Sequence, residues 1–240
     1  AGDRSRQKRN VWFSPDLGRW VDVEVFRPQD VVRARAQASR ASRTVVEWAG
    51  LPRMALPDID LLHDLCNGLP IACTDSPICS VDRENLALSW ASSNIVAARA
   101  RWLDAIGAFV SGVYGQSWYA ARLVEEFAID AISSLCGETN PNPKWRWAKL
   151  ARLIHQLRLP AAYIEDFSSH FDSSNQVECA KQQIVRAADL LATAMHTYIT
   201  GQTDSIQIND ECFPARIEFV SDGTLLIGRD GSVSKYRRAL

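Results

Sequence analysis

The stretch NLALSWASSNIVAARARWLDAIGAFVSGVYGQSWYAARLV, residues 85–124, indicates a buried helical hairpin at the core of the protein. Its only charged residues are Arg99, Arg101, Asp104 and Arg122. Apolar residues recur three or four positions apart, as one buried side of a helix requires, at Ile95, Ala98, Trp102, Ile106, Phe109 and Val113. Asp82 suits the N-cap of a first helix, the glycines at 112 and 115 divide it from a second helix, and Gly137 suits its end. The sequence therefore predicts two antiparallel helices within residues 82–137.

Two further long helices flank this hairpin in sequence. The first is predicted from Asp30 to about Gly50, with an apolar stripe at Val31, Ala34, Ala38, Ala41, Val45 and Trp48. The second is predicted from Ser174 or Asn175 to about Thr200, with a stripe at Ile184, Ala187, Leu191, Ala194 and Tyr198. Shorter helical patterns occupy residues 58–66 and 161–171. The body of the chain is therefore expected to be a helical bundle.

Both ends of the chain have the period-two pattern of β-strands. Valines alternate with polar or aromatic residues in 11–27, around a Pro15–Gly18 turn, and short alternating runs in 205–237 are separated by Asp-Gly pairs. The predicted fold class is mainly α (α+β), a helical bundle of five to six helices with a small antiparallel sheet from an N-terminal hairpin and a C-terminal meander. Residues 1–10 are predicted to be a flexible basic arm and 11–240 a single α-rich domain, in which 137–143 is where two sub-bundles would divide.

A strongly basic helix is predicted within residues 143–160, PKWRWAKLARLIHQLRLP. This segment holds five basic residues, no acidic residue and two tryptophans, in a chain of net charge -1. Leucine and isoleucine side chains occupy one side of the helix, and Lys149, Arg152, His155 and Gln156 occupy the other. The helix predicted over 30–50 has a similar basic side at Arg33, Arg40 and Arg43. Both are compatible with a simple solvated face.

The basic residues also suggest contact with a polyanion. Few acidic residues stand one turn away on the same helices, where they would reduce repulsion between the cations. We therefore predict that the phosphate backbone of DNA or RNA is contacted by a set of basic side chains. The set is Arg146, Lys149, Arg152, Arg33, Arg40 and Arg43.

A loop-rich segment contains the only metal-like spacing in the chain. His63, Cys66, Cys73 and Cys79 give four candidate zinc ligands in the order H-x2-C-x6-C-x5-C. The second pair is looser than the tight pairs of established zinc motifs, so buried free thiols are the alternative interpretation. Six cysteines in 240 residues are too few for a disulfide scaffold. No cofactor is expected, with zinc as the possible exception.

No catalytic motif is recognisable, and the four histidines are scattered along the chain. Glu126 and Asp130 stand one helical turn apart, but no histidine accompanies them at ligand spacing, and we expect them to lie on the surface. Three functions therefore stay open. The first is a non-enzymatic nucleic-acid-associated subunit of a larger assembly. The second is a protein-interaction module or regulator that docks an acidic partner, and the third is a metal-dependent enzyme.

Membrane insertion is not expected from the sequence. No run of 18 apolar residues occurs, and the polar N-terminus lacks the apolar centre of a signal peptide. The sequence predicts a cytoplasmic protein whose partners are nucleic acid and other protein subunits.

Overall fold

The computed structural model describes residues 8–43, 50–67, 82–157, 170–201, 214–220, 223–228 and 233–237. Six α-helices lie in these ranges: α1 Pro28–Ala38, α2 Leu56–Asn67, α3 Arg83–Val110, α4 Tyr114–Leu135, α5 Arg146–Leu157 and α6 Gln176–Thr200. A short 3-10 turn, Pro143–Trp145, precedes α5. The strands are β1 Lys8–Ser14, β2 Arg19–Val25, β3 Pro214–Val220, β4 Gly223–Gly228 and β5 Val233–Arg237. The predicted helical bundle is confirmed.

The helical hairpin of α3 and α4 begins and breaks as the sequence predicts. The Asp82 carboxylate accepts hydrogen bonds from the backbone N–H groups of Glu84 and Asn85 and so caps α3. Gly112, with φ of +78°, separates the two helices, because a left-handed conformation at this position favours a residue without Cβ. Val113 follows that break, and its side chain is therefore half-exposed instead of extending the apolar stripe.

The main core lies between α3, α4 and α6. Trp102, Ile106, Phe109 and Leu153 are buried as predicted, whereas the side chain of Leu157 lies outside the described part of the structure. Many of the buried residues are alanines, which allow close approach of neighbouring helices. Residues on both sides of 137–143 belong to this one cluster. The division into two sub-bundles stays a prediction.

A second buried cluster joins α1 and α2 to the beginning of α3. Its members are Val31, Ala34, Ala38, Met54, Ile59, Leu61, Leu62, Leu86 and Trp90. Because Leu86 and Trp90 belong to α3, this helix contributes to both clusters. The two clusters are therefore joined through one continuous helix.

Helix α1 is shorter than the sequence predicts, ending at Ala38 instead of continuing to about Gly50. The backbone after it forms tertiary hydrogen bonds: the Ser89 hydroxyl donates to the Ala38 carbonyl, and the Tyr198 hydroxyl donates to the Ser42 carbonyl. These bonds hold residues 38–42 against α3 and α6. Arg40 and Arg43 consequently lie beyond the helix that carries Arg33, and the predicted basic side of one long helix is wrong.

The described strands near the N-terminus pair with each other, and so do those near the C-terminus. β1 and β2 form an antiparallel hairpin, and β3, β4 and β5 form an antiparallel meander. Lys8–Asn10, predicted to belong to a flexible arm, lie in β1. The single sheet that the sequence predicts from both ends together is not shown, since the described strands of one end pair only with strands of the same end.

None of the described helices combines the length and apolar character needed to cross a bilayer.

Candidate functional site

Helix α5 docks on α4 through a buried ion-pair cluster. Arg146 Nε donates to Asp130 Oδ2 at 2.7 Å, and Lys149 Nζ donates to Asp130 Oδ1 at 2.9 Å. Arg146 also donates to Glu126, and Lys149 donates to the Asn140 carbonyl. The side chains of Asp130 and Lys149 have no exposed surface. The spacing of one turn on each helix allows two carboxylates to meet two cations across the interface.

The predicted surface position of Asp130 is therefore wrong, and Glu126 is only a quarter exposed. No cation of α4 stands within one turn of Asp130. Its partners lie on the next helix, 16 and 19 positions further along the chain. The sequence does contain a signal for this cluster. Two acidic residues one turn apart on α4 are followed by two basic residues one turn apart on α5.

The charged network continues from α4 to α6. Arg122 lies 3.3 Å from Glu125 and 3.8 Å from Glu126, and Arg186 of α6 lies 3.5 Å from the other Glu125 oxygen. Glu125 is buried at 2% exposure. Buried carboxylates need such partners because an unpaired charge is costly away from water. The network thus joins three helices electrostatically.

Arg152 and Arg33, two further residues of the predicted basic set, also pair with carboxylates. Arg152 forms a bidentate pair with Glu138, and this hydrogen bonding raises the pKa of the arginine. Arg33 pairs with Asp58 at 3.0 Å and with Asp30 at 2.8 Å, and the hydrogen bond to Asp58 raises its pKa.

Arg43 contacts the C-terminal end of α6. It donates to the carbonyls of Thr197 and Tyr198 and lies 3.7 Å from Glu84. The Thr197 carbonyl also accepts from the Gly201 backbone N–H, so the guanidinium mainly serves the Tyr198 carbonyl and complements the negative end of the helix. Arg40 is exposed beyond the end of α1.

The nucleic-acid prediction assumes that these basic side chains are exposed, and their positions correct that assumption. Lys149 has no exposed surface and Arg146 is 16% exposed, so neither presents its charge to phosphate in this arrangement. Arg152, Arg33 and Arg40 are exposed, although the first two are paired with carboxylates. Nucleic-acid binding itself stays a prediction.

The start of the basic segment presents aromatic side chains to solvent. Trp145 is 46% exposed and Trp147 is 47% exposed. Lys144 Nζ lies 5.4 Å from the centre of the Trp145 ring, a cation–π distance. The Asn142 side chain accepts from the Lys144 backbone N–H and fixes the turn before α5. We call Lys144, Trp145 and Trp147 the tryptophan surface.

The proposed zinc ligands are only partly described. His63 Nδ1 lies 2.9 Å from the Thr139 hydroxyl, and burial lowers the pKa of this histidine. Burial raises the pKa of the Cys66 thiol, which disfavours the thiolate that zinc requires. Cys73 and Cys79 lie outside the described residues. Within the described ranges no three metal-ligating side chains cluster, and zinc stays a prediction that elemental analysis of protein purified without chelator will test.

An open depression of about 410 Å³ lies between α1, α2 and the start of α3. Its polar lining includes Arg35, Ser39, Asp82 and Asn85. The Asp82 carboxylate already accepts hydrogen bonds from Glu84 and Asn85 at the N-terminus of α3. This lining does not provide a paired nucleophile and base of the kind that catalysis requires.

Comparison with models of known protein families, with curated proteins and with solved structures finds no match for this chain.

Proposed function

We propose that this chain is a non-enzymatic interaction protein, a subunit of a larger assembly that binds a protein partner through the tryptophan surface. One observation supports the proposal: Arg146, Lys149 and Arg152 are paired with carboxylates, whereas Trp145 and Trp147 in the same segment are half-exposed. These three cations are engaged within the fold. Both tryptophan side chains of the segment are half-exposed to solvent.

The ion pairs give the tryptophan surface a rigid base. Arg146 lies between Trp145 and Trp147 in sequence, and its bonds to Glu126 and Asp130 fix the first turn of α5 on α4. A fixed backbone reduces the conformational entropy that is lost on binding. Tryptophan is among the residues that most often dominate the binding energy of protein interfaces. Lys144 adds an exposed cation that suits an acidic residue of the partner.

Site-specific photo-crosslinking tests this proposal. A photoreactive phenylalanine analogue replaces Trp145 in the full chain, and a matched variant carries it at Tyr119, which is 59% exposed on α4. We expect irradiation in the cell that produces the protein to give a discrete crosslinked species at position 145 that nuclease leaves intact and that peptide mass spectrometry shows to contain a second protein. Equal adducts at both positions, or none at position 145, would contradict the proposal.

Nucleic acid is the second candidate partner. The observation in its favour is the contact between the Lys144 ammonium and the exposed Trp145 ring, because single strands bind to aromatic stacking surfaces beside cations. On this interpretation, the remaining exposed charges would come from Arg152, Arg33 and Arg40. An adduct at position 145 that nuclease removes would favour this candidate.

Salt dependence tests the second candidate directly. If Lys144, Arg152 and Arg40 each contact a phosphate of a single strand, their replacement by alanine lowers the slope of log affinity against log salt by about 0.7 per contact. Labelled DNA and RNA single strands of the same sequence serve as probes. An unchanged slope, or no binding by the parent protein at low salt, rejects this candidate.

A further inference from the structure

The β1–β2 hairpin presents large apolar side chains on both faces. The strands pair along their whole length, from Lys8 opposite Val25 to Ser14 opposite Arg19. Val11 is 55% exposed and the adjacent Trp12 is 47% exposed. Neighbouring residues of a strand point to opposite faces, so solvent reaches apolar surface on each side of the ribbon.

A two-stranded hairpin of this kind is marginally stable by itself in water. Within the described residues, β1 and β2 form strand pairs only with each other. In the described part of the chain, each strand therefore has an outer edge of backbone groups that can accept another strand. The sequences of the two strands decide which edge is suited to pairing.

The two edges differ in charge. β2 carries Asp22 and Glu24, and a full-length antiparallel pairing of β2 with a second β2 would centre on Asp22 and place two carboxylates opposite each other. The corresponding pairing of β1 centres on Val11. There, Lys8 would stand opposite Ser14 and Arg9 opposite Phe13, with no like charges across the pair.

We propose that β1 pairs antiparallel with β1 of a second copy of this chain about a two-fold axis at Val11. The product is a four-stranded sheet in the order β2, β1, β1, β2. Three or more strands with an apolar face provide the stability that a lone hairpin lacks. The outer edges of this sheet are the acidic β2 strands, which discourage further addition, so assembly stops at a dimer.

The test measures the mass of the full chain by light scattering after size exclusion. We expect the parent to be a dimer. Val11→Lys and Val11→Asp each place like charges opposite each other at the axis, and each is expected to weaken the dimer by on the order of 100-fold. Leu17→Lys is the matched control, because Leu17 is 61% exposed in the turn and lies away from the proposed edge. This control is expected to remain a dimer.

Mixing the two variants is the decisive measurement. An equal mixture of Val11→Lys and Val11→Asp places lysine opposite aspartate and is expected to restore the dimer. Helical circular dichroism verifies that both variants are folded. A monomeric parent, a dimeric Val11→Lys variant, or a mixture of folded variants that stays monomeric would each overturn the proposal.

Discussion

Replacing Asp130 with alanine is the most direct perturbation of the ion-pair cluster. The Lys149 ammonium has no exposed surface in the parent. After the substitution, its only remaining partner in the described structure is the Asn140 carbonyl. Arg146 keeps Glu126 and the Phe127 ring, whose centre lies 5.9 Å from its guanidinium carbon. Removing one partner of a buried pair costs about 3–5 kcal/mol, because the other charge stays desolvated and uncompensated.

This loss should be visible in thermal unfolding followed by helical circular dichroism. For a domain of this size, each kcal/mol lowers the unfolding temperature by roughly 2–4 °C, so Asp130→Ala should unfold about 6–20 °C below the parent. Glu138→Ala is the matched control, since it removes the partner of half-exposed Arg152. An exposed pair is worth about 1 kcal/mol or less, and the control should shift by a few degrees at most.

A double variant separates two contributions to the free energy of unfolding: the loss caused by one unpaired buried charge, and the net contribution of the intact pair. Asp130→Leu with Lys149→Met removes both buried charges while keeping similar volumes. Apolar replacement of a buried pair is often neutral or stabilising, so this variant should lose clearly less stability than Asp130→Ala, although Arg146 Nε and the Asn140 carbonyl also lose a partner. The reasoning would be refuted if Asp130→Ala lost no more stability than Glu138→Ala.

Three further outcomes can be checked with single substitutions or labelling. Burial lowers the pKa of His63 below its usual 6.5, so the unfolded chain binds more protons and stability should fall as pH drops below about 6.5. His63→Asn should flatten this dependence in urea unfolding from pH 7 to 5, and an identical pH profile would contradict the assignment. Burial raises the pKa of the Cys66 and Cys136 thiols, so iodoacetamide should label them several-fold more slowly in the folded protein than in urea, as measured by peptide mass spectrometry. Arg43→Ala removes the cation from the C-terminus of α6 and should cost about 1 kcal/mol in urea unfolding, whereas exposed Arg40→Ala should cost almost nothing.

The helical hairpin was predictable because its determinants are local. A cap at Asp82, a left-handed glycine at position 112 and a stripe containing Trp102 and Phe109 are each visible within a few residues of sequence. Hydrophobic period and capping act over one or two turns, which is the range that a sequence pattern records.

The ion-pair cluster could not be predicted in the same way. Asp130 and Lys149 are 19 positions apart, and whether they meet depends on how the loop between α4 and α5 turns. The end of α1 was missed for a related reason, since residues 38–42 are held by Ser89 and Tyr198 from distant helices. Tertiary hydrogen bonds override local helix propensity at such positions.

The sharing of α3 between two buried clusters has a consequence for hydrogen exchange. Its 28 residues span about 42 Å, with the first turns packed against α1 and α2 and the later turns packed within the main bundle. Local opening of the smaller cluster would expose amides near Leu86 while those near Ile106 stay protected until the bundle itself unfolds. Amides within one uninterrupted helix should therefore exchange on two separate timescales. The position where the exchange rate changes would mark the boundary between the two cooperative units.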